Sequence, residues 1–427
     1  MMMATAVSQL GLFQAAGEVS EVSSGDTAWL LASAALVMLM TPALGFFYGG
    51  LVRRKNVLAT IMHSFFILAL ISVQWVLWGY SLAFGPDIGG IIGGLDWIGL
   101  NGVGLEPNTD YAPTVPHQAF MIFQMMFAVI TPALITGAFA ERKRFKAFAI
   151  FTILWATIVY APIAHWVWGV GGWLRVLGAL DFAGGTVVHI SSGVSALVAA
   201  LVLGRRLGFG REPMDPHDVT MTVLGASLLW FGWFGFNAGS ALAAGGLATS
   251  AFVVTNTAAA MAALTMTTMS WIHKGSPSVL AAAVGAVAGL VAITPASGYV
   301  TPAASIIIGL GAGIFSYLAM QLKSRLRVDD ALDVWACHGV GGTWGALATG
   351  LFATVAINAA GANGLFYGDA SLVLKQIIAI GATTIYAGTA TWVILKVVDV
   401  VVGLRVKETE EELGLDISQH DEMAYQI

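Results

Sequence analysis

The chain has 427 residues, 57% of them hydrophobic and only 10% charged, against roughly 45–50% and about 25% in soluble domains. That balance excludes an ordinary soluble fold and marks a chain built for a lipid bilayer. A net charge of -5 with basic residues scattered in short clusters excludes an extended nucleic-acid face, and a single cysteine, Cys337, excludes an intrachain disulfide framework.

Residues 1–26 contain Glu18, Glu21 and Asp26 but no Lys or Arg. They lack the basic start and compact apolar core of a signal peptide, and read as a short extracellular tail. Apolar runs near the 20 residues needed to span a bilayer then recur at 28–48, 57–84, 117–138, 147–169, 184–203, 219–240, 250–272, 279–293, 303–322, 334–354 and 372–402. The pattern predicts an all-α polytopic membrane protein with eleven transmembrane helices. Residues 27–403 form the membrane domain, and 404–427 a polar tail.

Basic residues in short loops mark the cytoplasmic side. Alternate loops carry Arg53, Arg54 and Lys55; Arg142, Lys143, Arg144 and Lys146; Arg205, Arg206 and Arg211; Lys274; Lys323, Arg325 and Arg327; and, in the tail, Arg405 and Lys407. These are sixteen of the 19 Lys and Arg, whereas the opposite loops hold Arg175 and Lys375. The split predicts a multi-pass protein of the cytoplasmic membrane with its N-terminus outside and its C-terminus inside.

Two internal correspondences stand out. "GALDFAGGTVVHISSG" in the fifth span matches "DALDVWACHGVGGTWG" in the tenth through Ala-Leu-Asp and a later His, and "GFFYGG" in the first matches "GFNAGS" in the sixth more weakly. Two inverted five-helix halves plus a final helix follow, because an odd number of spans per half reverses the second half. His189 and His338 then approach one pseudo-symmetry axis from opposite faces. Intramembrane ionisable residues usually line a pathway or relay, so the pair is a candidate pore element. Asp181 and Asp333 precede their histidines by about 12 and 7.5 Å of helix rise. Both are placed to cap helix N-termini, and Asp181 also to favour cations in a nearby vestibule.

Aromatic residues are spaced around the same spans: Phe123 and Phe127 in "FQMMF", Trp166 and Trp168 in "AHWVWG", and Trp233, Phe236 and Ser240 in "FGWFGFNAGS". Aromatic faces attract small cations, and one hydroxyl acceptor among them suits a compact hydrogen-bond donor.

With "FFYGGLVRRKN", "FQMMFAVITPALITGAFAER", "PIAHWVWG", "GALDFAGGTVVHISSG", "GWFGFNAGS", "TPASGYV", "RVDDALDVWACHGVGG" and "GLDISQHDEMAY" in this order, the chain resembles the ammonium transporter family (Amt/Mep/Rh), in its bacterial or archaeal Amt branch. The resemblance implies a homotrimer of eleven-helix protomers, each with its own pore, carrying ammonium, with methylammonium as analogue. It further implies a transporter rather than an enzyme, with no cofactor or metal expected. The family's external ammonium site maps onto Phe127, Trp168 and Ser240 with Phe123 beside it, its gate onto Phe127 and Phe236, its pore histidines onto His189 and His338, and its vestibule acid onto Asp181. An extra residue between Trp168 and Asp181, and Trp335 where some relatives carry another aromatic, are departures.

The resemblance also implies an ordered tail under the pores that receives a PII-type regulatory protein. Glu408, Glu410, Glu411, Glu412, Asp416, Asp421 and Glu422 make the tail acidic, so attraction to basic pairs such as Arg205 with Arg206 and Lys323 with Arg325 is expected to hold it. Other readings of the same residues are an ammonium sensor sharing the fold, an Rh-like ammonia or carbon dioxide channel, and a bis-histidine haem protein. Trp168 and the complete aromatic set disfavour the Rh-like channel. The lack of an attached signalling domain disfavours the sensor, and a solitary ligand pair disfavours haem.

Overall fold

The computed structural model describes residues 21–425, and the N-terminal tail expected over 1–26 lies mostly outside them. Among the described residues, nine helices are long and apolar enough to cross a membrane. They are α1 (Ser24–Leu51), α2 (Arg54–Phe84), α3 (His117–Ala138), α4 (Phe145–Leu177), α5 (Gly185–Leu203), α6 (Val219–Gly239), α7 (Gly246–Lys274), α9 (Pro302–Arg325) and α11 (Ser371–Val402). Two more fill the remaining expected spans: α8 (Val279–Ile293), with 15 residues, and α10, a turn at Trp335–Val340 running into Gly341–Phe352. Each of the eleven apolar runs is therefore helical, and α8 and α10 are shorter than the rest.

Local chemistry sets the helix starts. Ser23, Asp218, Ser278 and Thr301 each accept a backbone N–H from the first turn of α1, α6, α8 and α9, and Pro302 opens α9, where its missing N–H costs nothing. The segment between α2 and α3 adds two small antiparallel pairs, Asp87–Ile88 with Ile92–Gly93 and Pro107–Asn108 with Ala112–Pro116.

Lipid offers no hydrophobic drive between helices, so close backbone approach and satisfied polar groups must hold the bundle together. The most extensive contact is α1 on α6, the first helix of each expected half. Gly225, Gly232, Gly235 and Gly239 face α1 there, where a Cβ would strike Phe47, Met40, Leu36 and Ser33. Elsewhere, Trp155 Nε1 donates to both Ser195 and Thr391 at 3.0 Å, and Thr391 donates to Ser195 at 2.8 Å. That buried triangle ties α4, α5 and α11 together, each interhelical bond being worth about 0.6 kcal/mol.

The loops after α1, α3, α5 and α9 meet in one ionic cluster. Glu141, its side chain fully buried, pairs with Arg53 at 2.7 Å and Arg206 at 3.1 Å, and Arg206 pairs with Asp329 at 2.8 Å. Helices α1, α3, α5 and α9 therefore end on one face, the arrangement that the alternation of basic loops requires.

The chain after α11 is ordered on this face. Two short helices, α12 (Glu408–Leu413) and α13 (Leu415–His420), lie under the start of α2. The basic partners differ from those expected. Arg206 is engaged by Asp329 and Glu141, Arg205 donates to the Arg327 carbonyl, and Lys323 pairs with Asp333. The tail is held instead by Lys55 Nζ on the Glu411 and Glu412 carbonyls (2.9 and 2.6 Å), by Glu411 accepting from Leu207 N (2.7 Å) and pairing with Arg405 (2.7 Å), and by Asp416 accepting from Ala59 N (2.8 Å). Apart from the Arg405–Glu411 ion pair, which lies within the tail, these are specific hydrogen bonds to backbone rather than a diffuse attraction between charged surfaces.

Candidate functional site

Helices α5 and α10 both begin with a π-helical turn, Gly185–Ile190 and Trp335–Val340, and each turn carries one of the paired histidines. Such wide turns recur at functional sites. The two segments pack on each other equivalently. A Cβ on Gly193, four residues after His189, would strike the backbone at His338 and Gly339, and one on Gly342, four residues after His338, would meet His189 Cβ. Only hydrogen at both positions lets the helices approach this closely. The rings come together, Nδ1 to Nδ1 at 3.2 Å, with their centroids 5.2 Å apart.

A buried carboxylate secures the start of each helix. Asp181 accepts from the N–H groups of Gly184 (2.8 Å), Gly185 (2.6 Å) and Thr186 (2.7 Å), and from the Thr186 hydroxyl. At α10 the capping acid is Asp330, whose Oδ2 accepts from Trp335 N at 2.8 Å, whereas Asp333 has a left-handed backbone (φ 57°) and pairs with Lys323 at 2.5 Å. The Ala-Leu-Asp match therefore places the repeat three residues out of register. Counted from the capping acid, both histidines stand eight residues on, Asp181 to His189 and Asp330 to His338.

On the side away from the ionic cluster lies a cavity of about 460 Å³ whose lining includes Phe127, Trp168, Asp181 and Ser240, with Gln124 and Tyr299. Trp168 is fixed from two sides: its indole N–H donates to the Asp181 carbonyl at 2.9 Å, and its own carbonyl accepts from Arg175 at 2.7 Å. The Asp181 carboxylate is turned into the α5 N-terminus and its carbonyl toward Trp168, so one residue anchors both. Trp168 meets Phe127 edge-on at 5.8 Å, and the Ser240 hydroxyl donates to the Phe236 carbonyl at 2.8 Å, leaving its oxygen lone pairs as acceptors.

Below this cavity Phe127 and Phe236 lie against each other, ring centroids 4.3 Å apart. Beyond them a slot of about 10 Å³ is lined by Met40, Leu44, Ile130, Trp233, Phe236 and both histidines, among others. That is barely the space for one water. His338 also borders a third cavity, of about 260 Å³, toward the ionic-cluster face, with Ser270, Lys274 and Asp333 in its lining. Outer cavity, tilted ring pair, histidine slot and third cavity are thus consecutive.

Not every expected residue lines this path. Phe123 is fully buried behind Phe127 at 5.0 Å and absent from the cavity lining. Trp166 packs on Trp173 and Tyr386 and donates to the Ile91 carbonyl. Sequence reasoning missed Thr294, whose hydroxyl lies 2.9 Å from Trp233 Nε1 and 3.4 Å from His189 Nε2. A threonine just after an apolar helix carries no signal of its own.

Two buried histidines in contact between two cavities, with Phe127 and Phe236 against each other on one side, mark a polytopic membrane protein with a candidate path through its bundle. The family model described as "Ammonium Transporter Family" matches residues 28–425, and the chain belongs to that family. It is 57% identical to an ammonium transporter of Bacillus subtilis over 94% of this chain and 98% of the relative. It is 51% identical to ammonium transporter Amt1 of Archaeoglobus fulgidus over 95% and 100%. Among solved structures, Mep2 of Saccharomyces cerevisiae is similar with a TM-score of 0.84 at 37% identity, over 91% of both chains. A protein described as "Sensor Amt Protein" is similar at 0.86 and 30% identity, over 93% and 98%.

Proposed function

We infer that this chain carries ammonium or ammonia across a membrane, as its family membership and its transporter relatives support. The observation that carries the mechanism is the separation of an aromatic, hydroxyl-bearing cavity from the histidine slot by the Phe127 and Phe236 rings, which lie against each other at a tilt of 39°. In this reading Phe127, Trp168 and Ser240 capture the ammonium ion, backed by Phe123. A charged ion pays a large desolvation penalty in an apolar slot, and neutral ammonia a much smaller one. The ion therefore passes its proton to water in the outer cavity before the rings of Phe127 and Phe236, and the neutral ammonia goes on to His189 and His338. Asp181 acts by holding Trp168 and α5 in place, and Asp333 by its ion pair with Lys323.

The proposal places all eleven helices across the cytoplasmic membrane of the cell, with residues 1–26 outside and 404–427 inside, in a homotrimer of independent pores. Current across a planar bilayer under an ammonium gradient tests the reading: current that saturates with ammonium supports it, and silence in both current and isotopic methylammonium uptake sinks it. Trp168→Leu removes the most electron-rich ring of the capture site. A cation–π contact is worth roughly 0.5–1 kcal/mol when exposed and about 2 when desolvated, so apparent affinity is expected to fall from a few-fold to some tens-fold. Saturation at the wild-type concentration would contradict the capture site.

The tail is proposed to be regulatory, receiving a PII-type protein at the basic face. Truncation after Gly403 removes the Lys55, Leu207 and Ala59 anchors and is expected to lower flux or abolish that binding while the membrane domain stays folded. Normal flux together with normal pull-down of the host PII-type protein would make the tail passive. A sensor role is the second reading, favoured by the similarity to the sensor Amt protein; high-affinity ammonium binding without flux would select it.

A further inference from the structure

The two histidines sit on equivalently packed half-repeats, and nothing in that symmetry decides which ring nitrogen carries which proton. Thr294 breaks it. This residue follows α8 directly, is fully buried, and its hydroxyl donates to the Leu290 carbonyl one turn back at 2.8 Å. A hydroxyl has one proton to give and two lone pairs to offer. The proton is committed to Leu290. Indole N–H is a donor only, so Trp233 Nε1 at 2.9 Å takes one lone pair. The remaining lone pair faces His189 Nε2 at 3.4 Å.

We propose that Thr294 is a positioning residue that fixes the tautomers of both pore histidines and leaves the free imidazole lone pair on His338 Nε2. Facing a filled lone pair, His189 Nε2 must carry the N–H. A neutral imidazole has one N–H, so His189 Nδ1 is bare and accepts across the 3.2 Å contact from His338 Nδ1. His338 Nε2 is then bare in turn. The opposite order sets two lone pairs against each other at Thr294, or pulls its hydroxyl off Leu290 and leaves that buried carbonyl without this donor.

For the transport reading on which this inference builds, the consequence is a direction. An ammonia N–H, or a proton, is received first at His338 Nε2, while the outer nitrogen of His189 is occupied. The same hydroxyl holds Trp233, whose ring stacks on His189 at 5.5 Å and 25°, so Thr294 sets ring orientation as well as tautomer.

The test is magic-angle-spinning nitrogen-15 NMR of histidine-labelled protein in lipid vesicles at neutral pH with no gradient, a readout independent of whether the protein transports. His189 is the histidine that follows a valine and His338 the one that follows the cysteine, so selective carbonyl labelling of the preceding residue distinguishes them. Wild type and Thr294→Ser are expected to show an N–H signal at His189 Nε2 and His338 Nδ1 alone. Trp233→Phe, which leaves the acceptor in place, is expected to match them. Thr294→Val, equal in shape but without the hydroxyl, is expected to lose the single tautomer and show a second set of signals at both rings. A bare Nε2 on His189 in the wild type overturns the proposal even where the valine variant fails to fold, as does a single unchanged tautomer in a folded Thr294→Val.

Discussion

Replacing both His189 and His338 with alanine is expected to reduce ammonium-driven current at least about tenfold while the protein still assembles and elutes as the wild type does. The slot they occupy is apolar and barely holds one water, so whatever crosses it can be solvated only by the walls. Placing an ion there costs several kcal/mol even after the protein relaxes, and each 1.36 kcal/mol of added barrier is a factor of ten in rate. Two imidazoles in contact at 3.2 Å supply ring nitrogens along the path; two methyl groups supply none. Single replacements are expected to fall between, because one ring still offers a donor and an acceptor. Measuring current and methylammonium uptake on the same vesicles separates loss of flux from loss of charge coupling. Unchanged current in the folded double variant rules out a part for the histidines.

Much of this architecture was legible because membrane helices advertise themselves by length. Each of the eleven apolar runs proved helical, and the alternation of basic loops put those of Arg53, Arg142, Arg206 and Arg327 on one face, where Arg53 and Arg206 meet Glu141 and Asp329, two acids that reading had not singled out. The pairing of His189 with His338 was legible from the repeat, although its register was not: Ala-Leu-Asp is the more visible match, yet the capping role belongs to Asp330. The missing signal was spacing, since Asp330 stands as far before His338 as Asp181 does before His189. The resemblance set Phe123 beside the capture site, and its ring does lie against Phe127 but outside the cavity lining, a distinction that one-turn helical spacing cannot make. The tail was read as acidic under basic loops, and charge alone could not show that Lys55 reaches backbone carbonyls of the tail or that the Glu411 carboxylate meets a backbone N–H at Leu207. Thr294 opens the stretch TPASGYV, yet nothing in those letters marked its part, which depends on Trp233 and His189, both far away in the chain.

The second large effect is expected at the ionic cluster, where Glu141→Ala should markedly lower the thermal midpoint of unfolding in detergent. Breaking a buried ion pair by removing one partner costs about 3–5 kcal/mol, because the other charge is left uncompensated. Glu141 is buried and accepts from Arg53 N at 2.6 Å, Arg53 Nε at 2.9 Å and Arg206 Nη1 at 3.1 Å. Asp329 still neutralises Arg206 in the variant, which places the loss toward the lower end. Glu141→Gln keeps an acceptor for Arg53 N and is expected to lose less. Acidification offers an independent check on the same charges. Burial pushes the Glu141 carboxyl up, but Arg206 and Arg53 outweigh it and hold the group below its ordinary range. At Asp329 burial likewise pushes up, and the Arg206 and Arg142 guanidiniums prevail. A carboxyl lowered by folding contributes stability that is complete above its unfolded value, about 4 for these groups, and is lost as pH falls through the folded value. The wild-type midpoint should therefore drop below roughly pH 4, and Glu141→Gln should lose part of that dependence. Equal midpoints for wild type and Glu141→Ala at neutral pH would mean that the four loops are held by packing around the cluster rather than by the charges within it.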